Sequence, residues 1–247
     1  MPVSPPQFTL ESIRLNHALD RRALASRFAL AGRVQVQQLF EPQTAARLYQ
    51  CLRDETPWGI AYNDGMQTVY ESATQWNERS PQDAERIMQG IDQRAGRQFQ
   101  YLYHCYPMLT AYTASWDPDL LLHRFLEYLN TDEMLGFVRE ITGIPKLIKA
   151  DAQATWYGHG HFLTLHDDAN TAEGRRVAYV INMTRDWREA DGGYLLFLDQ
   201  TGDVEQGFSP RFNTFNLFAV PQRHLVSYVP RYSQGLRFAI TGWFRDR

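Results

Sequence analysis

The chain has 247 residues, 44% of them hydrophobic, and its 25 basic and 28 acidic side chains leave a net charge of -3. That length suffices for one elaborated domain with a sizeable core, and the near balance of charge excludes a global attraction to phosphate backbones or acidic membranes, so no nucleic-acid partner is expected. Cys51 and Cys105 stand far apart with no metal-binding spacing, which argues against a disulfide framework or a cysteine zinc site and suits a reducing cytoplasm.

The opening MPVSPPQFTLES lacks a basic stretch followed by an apolar one, and no run of about 18 apolar residues occurs anywhere. The reading is a soluble, unexported chain with no membrane partner.

The first predicted element is a helix from Asp20 to Ala31, with Leu24, Phe28 and Leu30 at helical spacing and Gly32 as its stop. RVQVQQLF, from Arg33, alternates as a strand does. Pro42 opens a second helix through about Arg53, with Ala46, Leu48, Cys51 and Leu52 for a buried face. Ser80 and Pro81 start a helix running to about Ala95. Asp117 and Pro118 give the same signal for DPDLLLHRFLEYL, and Asn130 or Thr131 restarts a helix that stops around Gly143 and Pro145. The first half thus reads as mostly helical.

After Pro145 come short β-branched or aromatic runs: Lys146 to Tyr157, Arg176 to Met183, Tyr194 to Leu198, Thr214 to Val220, His224 to Val229 and Leu236 to Phe244. Short strands separated by turns predict a β-sandwich or barrel. No internal repeat or flexible linker divides the halves. The expectation is one α+β domain over 1-247, with 1-145 as mainly helical support and substrate-side elements and 146-247 as the catalytic β core.

HFLTLHDD sets His166 and Asp168 two apart, a spacing that on a strand or its immediate extension sends both side chains the same way. His224, at the start of HLVSYV, supplies a distant third ligand. Two histidines and one carboxylate leave coordination positions open, as non-haem iron(II) oxygenases require and a closed four-ligand zinc site does not. Taken alone, an HxD pair is usually a surface turn. In LRFAITGWF, alternation puts Arg237, Ala239, Thr241 and Trp243 on one face of a strand. A buried arginine there needs an anion. The distal carboxylate of 2-oxoglutarate matches its planar fork, with Thr241 able to donate a hydroxyl, and a salt bridge to a local Asp or Glu is the plainer alternative.

Over roughly Asp151 to Phe244 the chain resembles the prolyl-hydroxylase (prolyl 4-hydroxylase-like) branch of the 2-oxoglutarate and iron(II)-dependent oxygenases. The resemblance runs through YGHGHFLTLHDD, RVAYVIN, DGGYLLF, RHLVSYV and LRFAITGWF in order. It implies a double-stranded β-helix, or jelly roll, with N-terminal helices packed against it. It implies His166, Asp168 and His224 as Fe(II) ligands, Arg237 as the 2-oxoglutarate anchor, Tyr157 as a second donor to that carboxylate, and Leu195, Val226 and Trp243 as pocket lining. The activity implied is hydroxylation with O2, 2-oxoglutarate leaving as succinate and CO2, and ascorbate as a candidate reductant. The substrate implied is a prolyl residue of a protein or peptide. A free amino acid or small metabolite, or a jelly-roll binding module without turnover, are the alternatives. Nucleic-acid demethylases of the superfamily carry a second arginine six residues past the anchor, where this chain has Trp243. PRYSQG, between His224 and Arg237, lengthens that turn.

His159 and His161 share the two-residue spacing but lack a carboxylate at the right offset, so they read as a glycine-rich loop at the cleft mouth, contacting substrate rather than metal. Tyr101, Tyr103, Tyr106 and Tyr112 offer an aromatic groove or ordinary packing. Arg175 and Arg176 read as a solvated strand edge. Asp167 should point away from the metal.

Overall fold

The computed structural model describes residues 9–247. The first eight residues, and with them most of the opening segment read above for a leader, lie outside the described residues. No helix among those described is long and apolar enough to cross a membrane.

Helix α1 (Arg21–Ala31) starts where the Asp20 carboxylate accepts the Ala23 N–H and ends at Gly32, whose φ of 64° only glycine adopts without strain. Leu24 and Phe28 face the core, whereas Leu30, expected with them, points into solvent. Helix α2 (Pro42–Gln50) runs on into a π-helical turn, Cys51–Glu55. Its buried face holds Ala45, Leu48, Cys51 and Leu52; Ala46 is exposed, because Ala45 is the residue one turn before Leu48 on the same stripe. Short α3 (Ala73–Asn77) precedes α4 (Pro81–Ala95), capped by Ser80. Helix α5 is Met108–Thr113 and α6 Leu121–Leu129. Asp117 does not cap α6: it sits at φ 44° and its carbonyl accepts the Leu120 N–H at 2.9 Å, closing a turn before the helix. Thr131 caps α7 (Asp132–Thr142), which ends at Gly143.

The strands are β1 (Arg33–Gln37), β2 (Gly59–Asn63), β3 (Thr68–Glu71), β4 (Tyr101–Tyr106), β5 (Lys149–Ala150), β6 (Gln153–Tyr157), β7 (Phe162–His166), β8 (Arg175–Asn182), β9 (Leu195–Leu198), β10 (Val204–Phe208), β11 (Thr214–Ala219), β12 (His224–Val226) and β13 (Arg237–Arg245). All pairings are antiparallel, in the order β1-β11-β8-β13-β6-β4-β7-β12-β9-β10. The first half, read as mostly helical, therefore also supplies four strands, and β4 lies between β6 and β7 in the middle of the sheet. The run from Lys146 to Tyr157 is broken because the Asp151 carboxylate takes the Trp243 N–H at 2.9 Å.

The sheet curls until its edge strands β1 and β10 meet through side chains. Arg33 donates to Gln206 on β10 at 2.8 Å and pairs with Glu205 at 2.7 Å. This is a nearly closed, jelly-roll core in an α+β fold. Alternation decides what each side of the sheet touches. Val177, Tyr179, Ile181, Phe238, Ile240 and Phe244 face α1, α2, α6 and α7 in the main core. Ala178, Val180, Leu195, Phe197 and Ala239 face inward. Helix α4 covers a smaller cluster on Ile60, Tyr62, Leu102 and Phe162.

Candidate active site

One cavity of about 290 Å³ opens inside the curl. Its lining includes His166, Asp168, His224, Arg237, Tyr157, Leu195, Val226, Thr241 and Trp243, so every residue singled out from the sequence as ligand, anchor or lining meets the same space.

His166 ends β7 and His224 begins β12, and the two are register partners. Asp168 joins them from outside the strand. Its φ of 61° shows that a left-handed turn, rather than the pleat of a strand, swings the carboxylate back beside His166. Asp167 between them is exposed, its carboxylate accepting the Ala169 N–H. One ligand atom from each of the three lies within 4.8 Å of the others. Nε2 of His166 and Nε2 of His224 each stand 3.4 Å from an Asp168 oxygen.

The other ring nitrogens fix the chemistry. His166 Nδ1 is 2.9 Å from the Thr164 carbonyl and His224 Nδ1 is 2.8 Å from that of Gln222. A carbonyl only accepts, so each Nδ1 carries the proton, and in the neutral ring Nε2 presents its lone pair. Burial, with His166 beside it, pushes the His224 pKa down to about 4 despite the attraction of Asp168, so this ring is neutral at physiological pH. Two lone pairs and a carboxylate then converge with no donor between them. A cation relieves that arrangement, and a donor set of two imidazoles and one carboxylate suits iron(II) with positions left open.

Arg237 begins β13 opposite Tyr157 on β6, with its guanidinium carbon 4.8 Å from the phenol ring centroid. It is 2% exposed, and its Nε has no hydrogen-bond partner. Asp168 is the only acid lining the cavity, and among the described residues no carboxylate pairs with Arg237. The local salt bridge that was the plainer alternative is not formed. A buried guanidinium facing a cavity without its anion fits a carboxylate brought by a ligand.

Residues 152–245 match the family model described as the 2OG-Fe(II) oxygenase superfamily. Over those residues, less than half of its length, the chain is similar to that superfamily. Over 127 residues it is 29% identical to a prolyl 3-hydroxylase, OGFOD1, of Xenopus laevis; the match takes in 48% of this chain and 24% of the relative, so the chain spans about a quarter of that protein's length. Among solved structures, a Pseudomonas putida prolyl-4-hydroxylase superposes with a TM-score of 0.56 at 17% identity, covering 95% of this chain and 96% of the other. A Trichoplax adhaerens prolyl hydroxylase, solved with a hypoxia inducible factor peptide fragment, gives 0.59 at 14% identity over 92% of this chain and 89% of its own. At such identities the two structures establish a shared jelly-roll fold.

Some placements differ from the sequence reading. His159 and His161 do not reach the cavity mouth: their turn follows Tyr157, at the Arg237 end, and is latched to Val229 by the Gly160 N–H at 2.8 Å and the His161 carbonyl at 3.0 Å. His161 is buried against Trp156 and His104, away from the lining. Tyr101 and Tyr103 line the cavity, Tyr106 lies in the main core, and Tyr112 is exposed on α5.

Arg175, read as a solvated edge, lines the cavity with its guanidinium carbon 3.7 Å from the Trp243 ring centroid. A register shift pairs Arg245 with Arg175 rather than Arg176, turning Arg175 to the face of Ala178. Arg176 pairs with Asp246 at the surface. No sequence signal marks that bulge. Gln153 and Thr155 on β6 also line the cavity; they share the parity of Tyr157, so alternation could have found them.

Proposed function

We propose that this chain is a 2-oxoglutarate- and Fe(II)-dependent dioxygenase that hydroxylates a prolyl residue of a protein or peptide. The observation that carries the reading is the pairing, in one cavity, of three converging metal-ligand atoms with a buried guanidinium that has no anion of its own. The prolyl hydroxylases among the relatives support the substrate class.

In this reading His166, Asp168 and His224 hold the metal. Arg237 binds the distal carboxylate of 2-oxoglutarate, with Tyr157 and Thr241 as neighbouring hydroxyls. Leu195, Val226 and Trp243 exclude water around the cosubstrate chain. Bound iron(II) supplies the activation of O2 that couples 2-oxoglutarate decarboxylation to hydroxylation, releasing succinate and CO2. The chain's own task is to fix the ligands through the Thr164 and Gln222 carbonyls and to keep the anchor dry. We take residues 1-247 as one oxygenase domain, a division supported by β1 to β4 lying in the same sheet as β5 to β13. A cytoplasmic location is part of the proposal, supported by Cys51 and Cys105 being free and buried.

The test is to incubate the protein with iron(II), ascorbate and 2-oxoglutarate and to follow succinate and peptide hydroxylation with proline-containing peptides and, separately, free proline. Succinate dependent on peptide, abolished by His224→Ala, is the expected result. Turnover on the free amino acid alone moves the substrate to a small molecule, and wild type equal to His224→Ala under every condition rejects the enzyme.

A further inference from the structure

Beside the stem of Arg237, outside the lining of the cavity, stands a residue that the reaction itself does not call for. Trp187 stands in the segment between β8 and β9 and is half-buried. Its indole N–H donates to the Gly192 carbonyl at 3.0 Å. The ring is held between two glycines: a Cβ on Gly193 would lie 3.0 Å from Trp187 Cζ2, and one on Gly235 would lie 3.0 Å from Cε3. The same Cβ on Gly193 would also lie 3.0 Å from Arg237 Cδ. Gly193 therefore separates the indole from the stem of the anchor by no more than the space a methyl group would take. Trp187 further packs on the cluster that holds Tyr157, Val226 and Val229, all around Arg237.

On its other side Trp187 lines a separate, open depression of about 530 Å³, with Thr184, Arg185, Asp186 and Phe212. One indole thus lies near the stem of the anchor on one side and lines an open hollow on the other. Two consequences follow from elementary physics. The wall keeps water from Arg237, where its charge is strongest in a low dielectric. It also fixes how far the guanidinium can retreat, and so the distance from anchor to metal ligands that a dicarboxylate must span.

We infer that Trp187, seated through Gly193, is a specificity-determining and positioning residue that sets the chain length of the 2-oxodicarboxylate bound by Arg237. The inference rests on Arg237 binding 2-oxoglutarate, as proposed above. With the wall in place the five-carbon diacid fits and the six-carbon 2-oxoadipate does not. With the wall removed, Arg237 can move back toward the hollow and the longer diacid is accommodated, while the anchor becomes wetter and holds 2-oxoglutarate less well.

The experiment is calorimetric titration of 2-oxoglutarate and of 2-oxoadipate into protein loaded with manganese(II), which reads binding without turnover. For Trp187→Ala the ratio of the two dissociation constants is expected to shift toward 2-oxoadipate by about tenfold or more, the usual size of a one-methylene discrimination. Trp187→Leu, which keeps an apolar filler and so retains the fold more readily, should shift the ratio in the same direction by less. A wild type that binds 2-oxoglutarate, with Trp187 variants that keep its ratio within about twofold, overturns the inference alone. A wild type that binds neither diacid overturns it together with the role of Arg237.

Discussion

His166 and His224 face each other across the β7 and β12 pair with ring centroids 4.1 Å apart, and each has its Nδ1 on the carbonyl of the residue two positions earlier. The two rings are thus oriented by nearby backbone carbonyls, and Asp168 is delivered between them by a single left-handed residue. Backbone carbonyls that hold ligand rings in this way lower the reorganisation that metal binding must otherwise overcome.

Removal of one ring should therefore remove the ion and leave the barrel. His224→Ala is expected to weaken divalent-metal binding by more than about 100-fold, beyond the range of outer-sphere changes. Manganese(II) or iron(II) titration measures it, and far-ultraviolet circular dichroism should be unchanged. Retention of affinity within about tenfold would assign the ion to other groups.

Arg237 gives a prediction in which stability and binding move apart. Its buried charge has no anion in the free protein, so replacing it by an apolar chain of similar length relieves a desolvation cost. Arg237→Met should leave the unliganded protein equally stable, or more stable by up to about 3 kcal/mol. Excess 2-oxoglutarate should raise the wild-type melting temperature, by about 2.7 kcal/mol of stabilisation at 100 times the dissociation constant, and do nothing to the variant. Manganese binding should survive. Loss of metal and cosubstrate together would make Arg237 a structural residue.

These two sites were legible in the sequence for different reasons. Arg237 opens a strand whose alternation is regular up to Phe244, so parity assigns its face, whereas His224 is readable only as the polar residue that opens HLVSYV, because β12 is three residues long and its pairing with β7 shifts register. Asp168 was assigned correctly to the same side as His166, but by a turn whose left-handed φ no residue pattern announced. Arg175 escaped because a bulge reverses parity at one position, and bulges follow from pairing partners distant in sequence. Strand β4 escaped too: YLYHCY is nearly continuous in bulky residues because both of its faces are buried, with Tyr101 and Tyr103 toward the cavity and Leu102 against α4, and that leaves no alternation to read. Trp187 lies in an irregular segment, where periodicity carries no information.

The closure of the sheet is testable at Arg33. Its guanidinium binds Glu205, Gln206 and Gln222 and lies 4.7 Å from the Phe197 ring centroid. With its side chain only 12% exposed, these bonds are shielded from water. Arg33→Ala should cost about 1–3 kcal/mol in denaturant unfolding and raise hydrogen exchange selectively in β10. Uniform exchange across the sheet would mean that β10 is held by β9 alone.

His161 sets an acid limit on the fold. Burial above all, with His104 and His159 adding repulsion, pushes its pKa down to about 3, and its Nδ1 accepts the Gly158 N–H at 3.1 Å, a bond that protonation breaks. His104, stacked on Trp156 and likewise lowered by burial, acts in the same sense. A base whose folded pKa is depressed binds fewer protons folded than unfolded between the two values, so stability falls as pH drops below about 6.5. From pH 7 to pH 5 the contribution of His161 to that loss is about 2 kcal/mol. His161→Gln, which keeps an acceptor for Gly158 but does not titrate, should flatten the pH dependence of unfolding by that amount across this window, measured by urea titration at each pH. An equal slope in wild type and variant would mean that the acid loss arises elsewhere in the chain.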